Sequence, residues 1–186
     1  MILSVEHFLK DSFPNLVSIR EFDIKSVRCY HATRATSKEC IIKNGLHLPT
    51  VKGLLNLLAK MGVKDVDEAQ VGRIIDENGG NIYVHMNKDF LQRNGDYHKK
   101  GSEKIRRYIM EISPLSLVEA ERNIMAQKGY IFELNLPIDI FDEGELIDCM
   151  ETGDNLFDNI EEVDITLEVT RNIPPELICA VYEVGP

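Results

Sequence analysis

Val27-Arg28-Cys29-Tyr30-His31-Ala32-Thr33-Arg34 decides how the rest of the chain is read. Val27, Cys29 and His31 alternate with Arg28 and Tyr30, the period of two that puts one set of side chains on each face of a strand. Thr36 or Ser37 then offers a cap for a helix running to Asn44, and Gly45 supplies its left-handed stop before Leu46. A second stretch near the other end has the same strand character. Ile165-Thr166-Leu167-Glu168-Val169 puts Glu168 with Thr166 and Thr170 on a polar face, and Ile173-Pro174-Pro175-Glu176-Leu177-Ile178 follows.

Between these two stretches the periodicity predicts helices first and strands later. Residues 4–13 read as a short helix stopped by Pro14. Thr50 caps a helix carrying Leu54, Leu55, Leu57, Leu58 and Met61, and Asp65 caps another carrying Val66, Ala69, Ile74 and Ile75 before Gly79-Gly80. Residues 81–85 form a short strand with Ile82 and Val84 on one face and Tyr83 and His85 on the other. Ser102 caps a helix to about Ile112, and Pro114 opens the next, which ends before Gly129. Residues 130–136 are a strand ended by Pro137, and residues 164–170 and 178–184 are two more. The expected fold class is α+β, in one domain spanning residues 1–186.

Charge is unevenly spread. Residues 1–128 hold 20 of the 21 Lys and Arg against 16 acids, whereas residues 129–186 hold Arg171 alone against 15 acids. The acidic third repels polyanions, so nucleic acid is not an expected partner. Residues 142–164 contain ten acids and no Lys or Arg, and the region at about 138–163 is expected to be an exposed acidic excursion able to select a basic partner. No run approaches the length of a membrane span, and the first residues lack the basic and apolar regions of a cleaved signal, so the cytoplasm is expected. Cys29, Cys40, Cys149 and Cys179 are scattered, and neither His85 nor His98 has a Cys or an acid at ligand spacing. No metal is expected.

The order of these elements resembles the ADP-ribosyltransferase fold, the family that includes bacterial toxins, poly(ADP-ribose) polymerases and RNA 2'-phosphotransferases. Its first strand typically reads Tyr-His-x-Thr before a helix ending in Gly-Leu, matched here by Tyr30-His31-Ala32-Thr33 and Gly45-Leu46. A middle strand supplies an aromatic, Tyr83 in this chain, and a late strand supplies a Glu ahead of an Ile-Pro-x-x-Ile segment, matched by Glu168 and by residues 173–178 with one extra residue. The resemblance implies two small, mostly antiparallel sheets forming a cleft with covering helices. It also implies NAD as substrate, with ADP-ribose passed to an acceptor, such as a protein, or to water. His31, Tyr83 and Glu168 would be the catalytic set, and His31, Thr33, Arg34 and Tyr83 would hold NAD. No Glu-x-Glu or Gln-x-Glu pair precedes Glu168, so arginine is not the acceptor the resemblance suggests.

The chemistry accounts for such a set. Breaking the nicotinamide glycosidic bond builds positive charge on the ribose, which a nearby carboxylate stabilises. A His and a Thr can bond ribose hydroxyls or the nicotinamide amide, an aromatic can stack on the ring, and Arg34 can meet a phosphate. Each residue also has an ordinary structural reading: His31 as a buried hydrogen-bonded imidazole, Tyr83 as a half-buried strand aromatic, Glu168 as a solvated strand acid. Two other carboxylates compete with Glu168. Glu103 follows Gly101-Ser102 among Lys99, Lys100, Lys104, Arg106 and Arg107, and Glu133 lies on a strand whose other face is apolar. Two readings without turnover stand beside transfer: a module that holds NAD, ADP-ribose or a nucleotide, and an acidic protein-interaction domain.

Overall fold

The computed structural model describes residues 1–9, 23–34, 38–64, 66–77, 80–93, 103–142, 144–146, 148 and 157–184. The strands are β1 (Ile2–Leu3), β2 (Ser26–Thr33), β3 (Ile82–His85), β4 (Gly129–Pro137), β5 (Thr166–Val169) and β6 (Ile178–Val184). Among the described residues the α-helices with full bounds are α1 (Lys38–Asn44), α2 (Val51–Lys60), α3 (Glu68–Glu77), α4 (Lys88–Arg93), α5 (Glu103–Ile112) and α6 (Leu117–Met125). The class is α+β, as the change of period along the chain predicts.

The strands make one six-stranded sheet in the order β5-β3-β2-β4-β6, with β1 parallel to the start of β2 and the other pairings antiparallel. This corrects the expectation of two separate small sheets. The physical reason lies on one edge of β2, which is shared: Ser26 and Val27 pair with β1, and Tyr30 alone pairs with His85 of β3. On its other edge β2 pairs with β4 along its whole length, from Ser26↔Pro137 to Thr33↔Tyr130. A well-laddered β2-β4-β6 half is therefore joined to a β3-β5 half by a single residue pair.

Alternation carries one face of the sheet into the core. Val27 and Cys29 of β2, Ile82 and Val84 of β3, Phe132, Leu134 and Leu136 of β4, and Leu167 and Val169 of β5 are all buried. Burying each such aliphatic or aromatic side chain is worth about 1.5–3 kcal/mol. Ile41, Leu46 and Ile173 close this core from α1 and the segment after β5, and the same burial pushes the Cys29 thiol pKa far up. A second apolar cluster belongs to the helices: Leu54, Leu58 and Met61 of α2 and its end meet Val71 and Ile74 of α3, Tyr108 and Ile109 of α5, and Ala120 and Ile124 of α6.

Thr50 and Gly45 bound their helices as the cap chemistry predicts. The Thr50 side chain accepts the Gly53 N–H at 3.1 Å, and Gly45 ends α1 at φ +81°. α3 starts from Asp67, whose Oδ1 accepts the Ala69 N–H at 2.9 Å; Asp65 lies outside the described residues, as do Thr36, Ser37 and Ser102. The predicted helix over residues 4–13 is a 3-10 turn at Val5–Phe8, and residues 10–22 lie outside the described ones.

The acidic excursion is more than a solvated loop. Ile140, Phe141, Leu146 and Val163 are buried in the sheet core, and Asn87 Nδ2 donates to the carbonyls of Ile160 and Val163 at 2.7 and 2.9 Å. Apolar anchors without helical or strand period gave the sequence reading nothing to detect. No described helix is long and apolar enough to cross a membrane.

Candidate functional site

Tyr83 and Glu168 are direct partners across β3 and β5. Ile82, Val84, Leu167 and Val169 occupy the core face, so alternation turns Tyr83 and Glu168 to the opposite one, both half-buried. The Tyr83 carbonyl faces β2 and the Glu168 N–H faces away from β3, where it donates to Glu145 Oε1 at 2.9 Å. The pair is thus a non-hydrogen-bonded rung, the type in which facing side chains stand closest. Asn81 Nδ2 donates to Glu168 Oε2 at 2.5 Å, and the Tyr83 hydroxyl bonds the same carboxylate. Burial first, then the bond to Glu168 and the charges of Glu168 and Glu145, push the Tyr83 pKa up to about 12. Tyr83 therefore stays a neutral donor, and Glu168 keeps a directed pair of partners.

His31 reaches this rung from β2. Its Nδ1 lies 2.9 Å from the Tyr83 carbonyl oxygen. A carbonyl only accepts, so Nδ1 carries the proton and Nε2 is left as the acceptor. The imidazole supplies the donor just where β2 and β3 cease to pair beyond Tyr30↔His85. By register His31 sits opposite Phe132 on the core side, while the Tyr83 and Glu168 side chains are on the other face. The fold thus brings His31, Tyr83 and Glu168 to one place, the join between the two halves of the sheet, without putting all three on one face.

Burial lowers the His31 pKa, and the Tyr83 carbonyl offsets part of that shift. The sign for stability follows. A neutral imidazole favoured by the fold contributes fully above the ordinary histidine pKa of about 6.5, and that contribution is lost as the pH falls toward the lower folded value. His31→Gln keeps an N–H donor for the carbonyl and removes the titration. It is expected to flatten the acid-side fall of the melting temperature below about pH 6.5, measured by differential scanning calorimetry. A variant with the same slope as the wild type would mean that His31 is not the titrating group.

The other residues implicated by the resemblance sit differently. Thr33 ends β2 opposite Tyr130, half-buried. Arg34 is only 3% exposed, with Nη1 donating to the Gln127 carbonyl at 2.7 Å and its guanidinium lying against Gly129, where a Cβ would stand 3.2 Å from Cζ. Burial lowers its pKa. That position ties the end of β2 to the turn before β4 rather than presenting a charge to solvent.

Glu133 accepts from the Tyr182 hydroxyl at 2.6 Å and lies 3.7 Å from Arg28 Nε, on the same face as Tyr30, whose pKa burial and Glu133 raise to about 12. It pairs with Tyr30 rather than with β3, so it belongs to the other half of the sheet from Glu168. The backbone of Glu103 begins α5, but its side chain and the Gly101-Ser102 turn lie outside the described residues, as does His98. His85 is buried with Nδ1 3.0 Å from Thr166 Oγ1 and 3.8 Å from Asp164.

Two groups at the rung, and one in the helical cluster, were not singled out from the sequence. Asn81 stands right after Gly79-Gly80, a position readable only as the start of a strand. Glu145 is one of ten acids in residues 142–164, and nothing local sets it apart. Tyr108, from the helical cluster, is 2% exposed with a hydroxyl that finds no hydrogen-bond partner among the described residues, and its charge when ionised adds to the raised Tyr83 pKa. Among the described residues no group of His, Cys, Asp and Glu side chains is arranged to hold a metal. Compared with models of protein families, with curated proteins and with solved structures, the chain matches none.

Proposed function

We propose that the protein cleaves the nicotinamide glycosidic bond of NAD and transfers ADP-ribose to an acceptor or to water. One observation carries this reading: His31, Tyr83 and Glu168, widely separated in sequence, meet on adjacent strands at the join of the sheet, linked by the His31 Nδ1 contact with Tyr83 and the Tyr83–Glu168 rung.

In the step itself the bond between the ribose anomeric carbon and the pyridinium nitrogen breaks, its electron pair returns to the ring, and neutral nicotinamide leaves. The oxocarbenium-like ribose is then captured by a nucleophile that loses a proton. Glu168, aimed by Asn81 and Tyr83, supplies the negative charge that stabilises this ribose as it forms. The Tyr83 ring offers a face for nicotinamide, and His31, from the other face, holds the Tyr83 backbone through Nδ1. The ten acids of residues 142–164 favour a basic acceptor protein.

Nicotinamide release by the purified protein, with calorimetric titration of NAD, tests the reading. Release with saturable binding supports it; binding without release favours the nucleotide-holding module, and neither would leave the acidic surface as the functional feature. Tyr83→Ala is expected to weaken NAD binding by about 1 kcal/mol, roughly fivefold, by calorimetry.

A further inference from the structure

We infer that Glu145 is the positioning residue for Glu168: its carboxylate takes the outward backbone N–H of Glu168 on β5 and fixes the backbone from which Glu168 projects. The role rests on the reading of Glu168 as the site's working carboxylate, but the contact itself does not.

β5 is four residues long and ends the sheet among the described residues, so its outward N–H groups have no neighbouring strand there. The Glu168 N–H points to that edge and donates to Glu145 Oε1 at 2.9 Å, a charge-assisted bond of the stronger kind. Glu145 is itself held on both sides. Asp142 Oδ1 accepts the Glu145 N–H at 3.1 Å, the Asp142 carbonyl accepts the Leu146 N–H at 3.1 Å, and Leu146 is buried in the sheet core. An apolar anchor and a capped turn thus deliver one acid from the excursion to one backbone amide.

Among the described residues the carboxylates of Glu168 and Asp142 act electrostatically on Glu145, and Glu145 in turn on the Tyr83 hydroxyl. Burial and those two carboxylates raise its pKa, and the Glu168 N–H lowers it in part. A group held this way serves as an acceptor. A glutamine carbonyl can take over that task, whereas alanine cannot.

The amide of Glu168, followed by nitrogen–proton correlation NMR across the acid pH range in NAD-free protein, reads the contact directly. In the wild type it should shift as Glu145 titrates, and in Glu145→Gln that transition should vanish. In nicotinamide release, Glu145→Ala should lower kcat by about tenfold with KM within about twofold, and Glu145→Gln should restore kcat to within about threefold of wild type. A Glu168 amide indifferent to Glu145 overturns the inference whatever the activity, as does an alanine variant with wild-type kcat. An amide that follows Glu145 in a protein releasing no nicotinamide would leave the contact standing and reject the NAD reading.

Discussion

Glu168→Gln is expected to reduce nicotinamide release by about 10²–10³-fold while NAD binding stays within about threefold of wild type. The substitution removes a charge without removing shape. Asn81 Nδ2 can still donate to the new amide oxygen, and the Tyr83 hydroxyl can accept from the new NH2, so the contacts that aim the side chain survive. What is lost is the negative charge that matters only as positive charge builds on the ribose, and an interaction made in the transition state alone lowers kcat rather than affinity. Stability should change by less than about 1 kcal/mol, because the position is half-buried on the polar face of a strand. Steady-state release and calorimetry on both proteins check the result. Equal loss in Glu168→Gln and Glu133→Gln, which lie in different halves of the sheet, would point to damage to the sheet and not to the chemistry.

Gly45→Ala should destabilise the fold by about 3–4 kcal/mol, read as a shifted midpoint in urea unfolding. Gly45 ends α1 at φ +81°, where a Cβ is disfavoured in any case. A Cβ there would also stand 2.1 Å from the Ile173 carbonyl oxygen, which is backbone and cannot rotate aside. That carbonyl accepts the Leu46 N–H at 2.8 Å, and the Ile173 N–H returns a bond to the Leu46 carbonyl at 2.8 Å. Relieving the clash breaks this reciprocal pair, each bond worth roughly 1 kcal/mol net, and pulls buried Leu46 and Ile173 apart. Because Ile173 closely follows β5, NAD binding should weaken along with the fold. Gly72→Ala is the control of opposite sign. Gly72 lies inside α3 with only ordinary contact to Val51, so alanine should stabilise by about 0.5–1 kcal/mol.

The two glycines show why some of this fold is legible from the chain. A helix that ends in Asn-Gly-Leu announces its own stop, since local backbone sterics decide it. What Gly45 touches, the backbone of Ile173, is a matter of tertiary approach and has no local signature. The same division runs through the site. Alternation alone puts Tyr83 and Glu168 on polar faces and His31 among apolar neighbours, and all three placements agree with the structure. Register alone makes Tyr83 and Glu168 partners, and only the shared edge of β2 sets His31 against the Tyr83 carbonyl.

Arg34 and Glu145 are the clearest cases of exchange between expectation and structure. Arg34, a phosphate ligand by the resemblance carried by Tyr-His-x-Thr, is buried against Gly129 because β2 and β4 stay paired to their ends. Glu145, lost among acids, reaches the backbone of Glu168 because Leu146 beside it finds the core. From the sequence by itself came the α+β class, the boundaries of most elements and the faces of the strands, since these follow from periods and caps acting over a few residues. The single sheet with its one-pair join, and the groups gathered around Glu168, were decided by tertiary structure, because long-range pairing and the burial of scattered apolar anchors carry no local period.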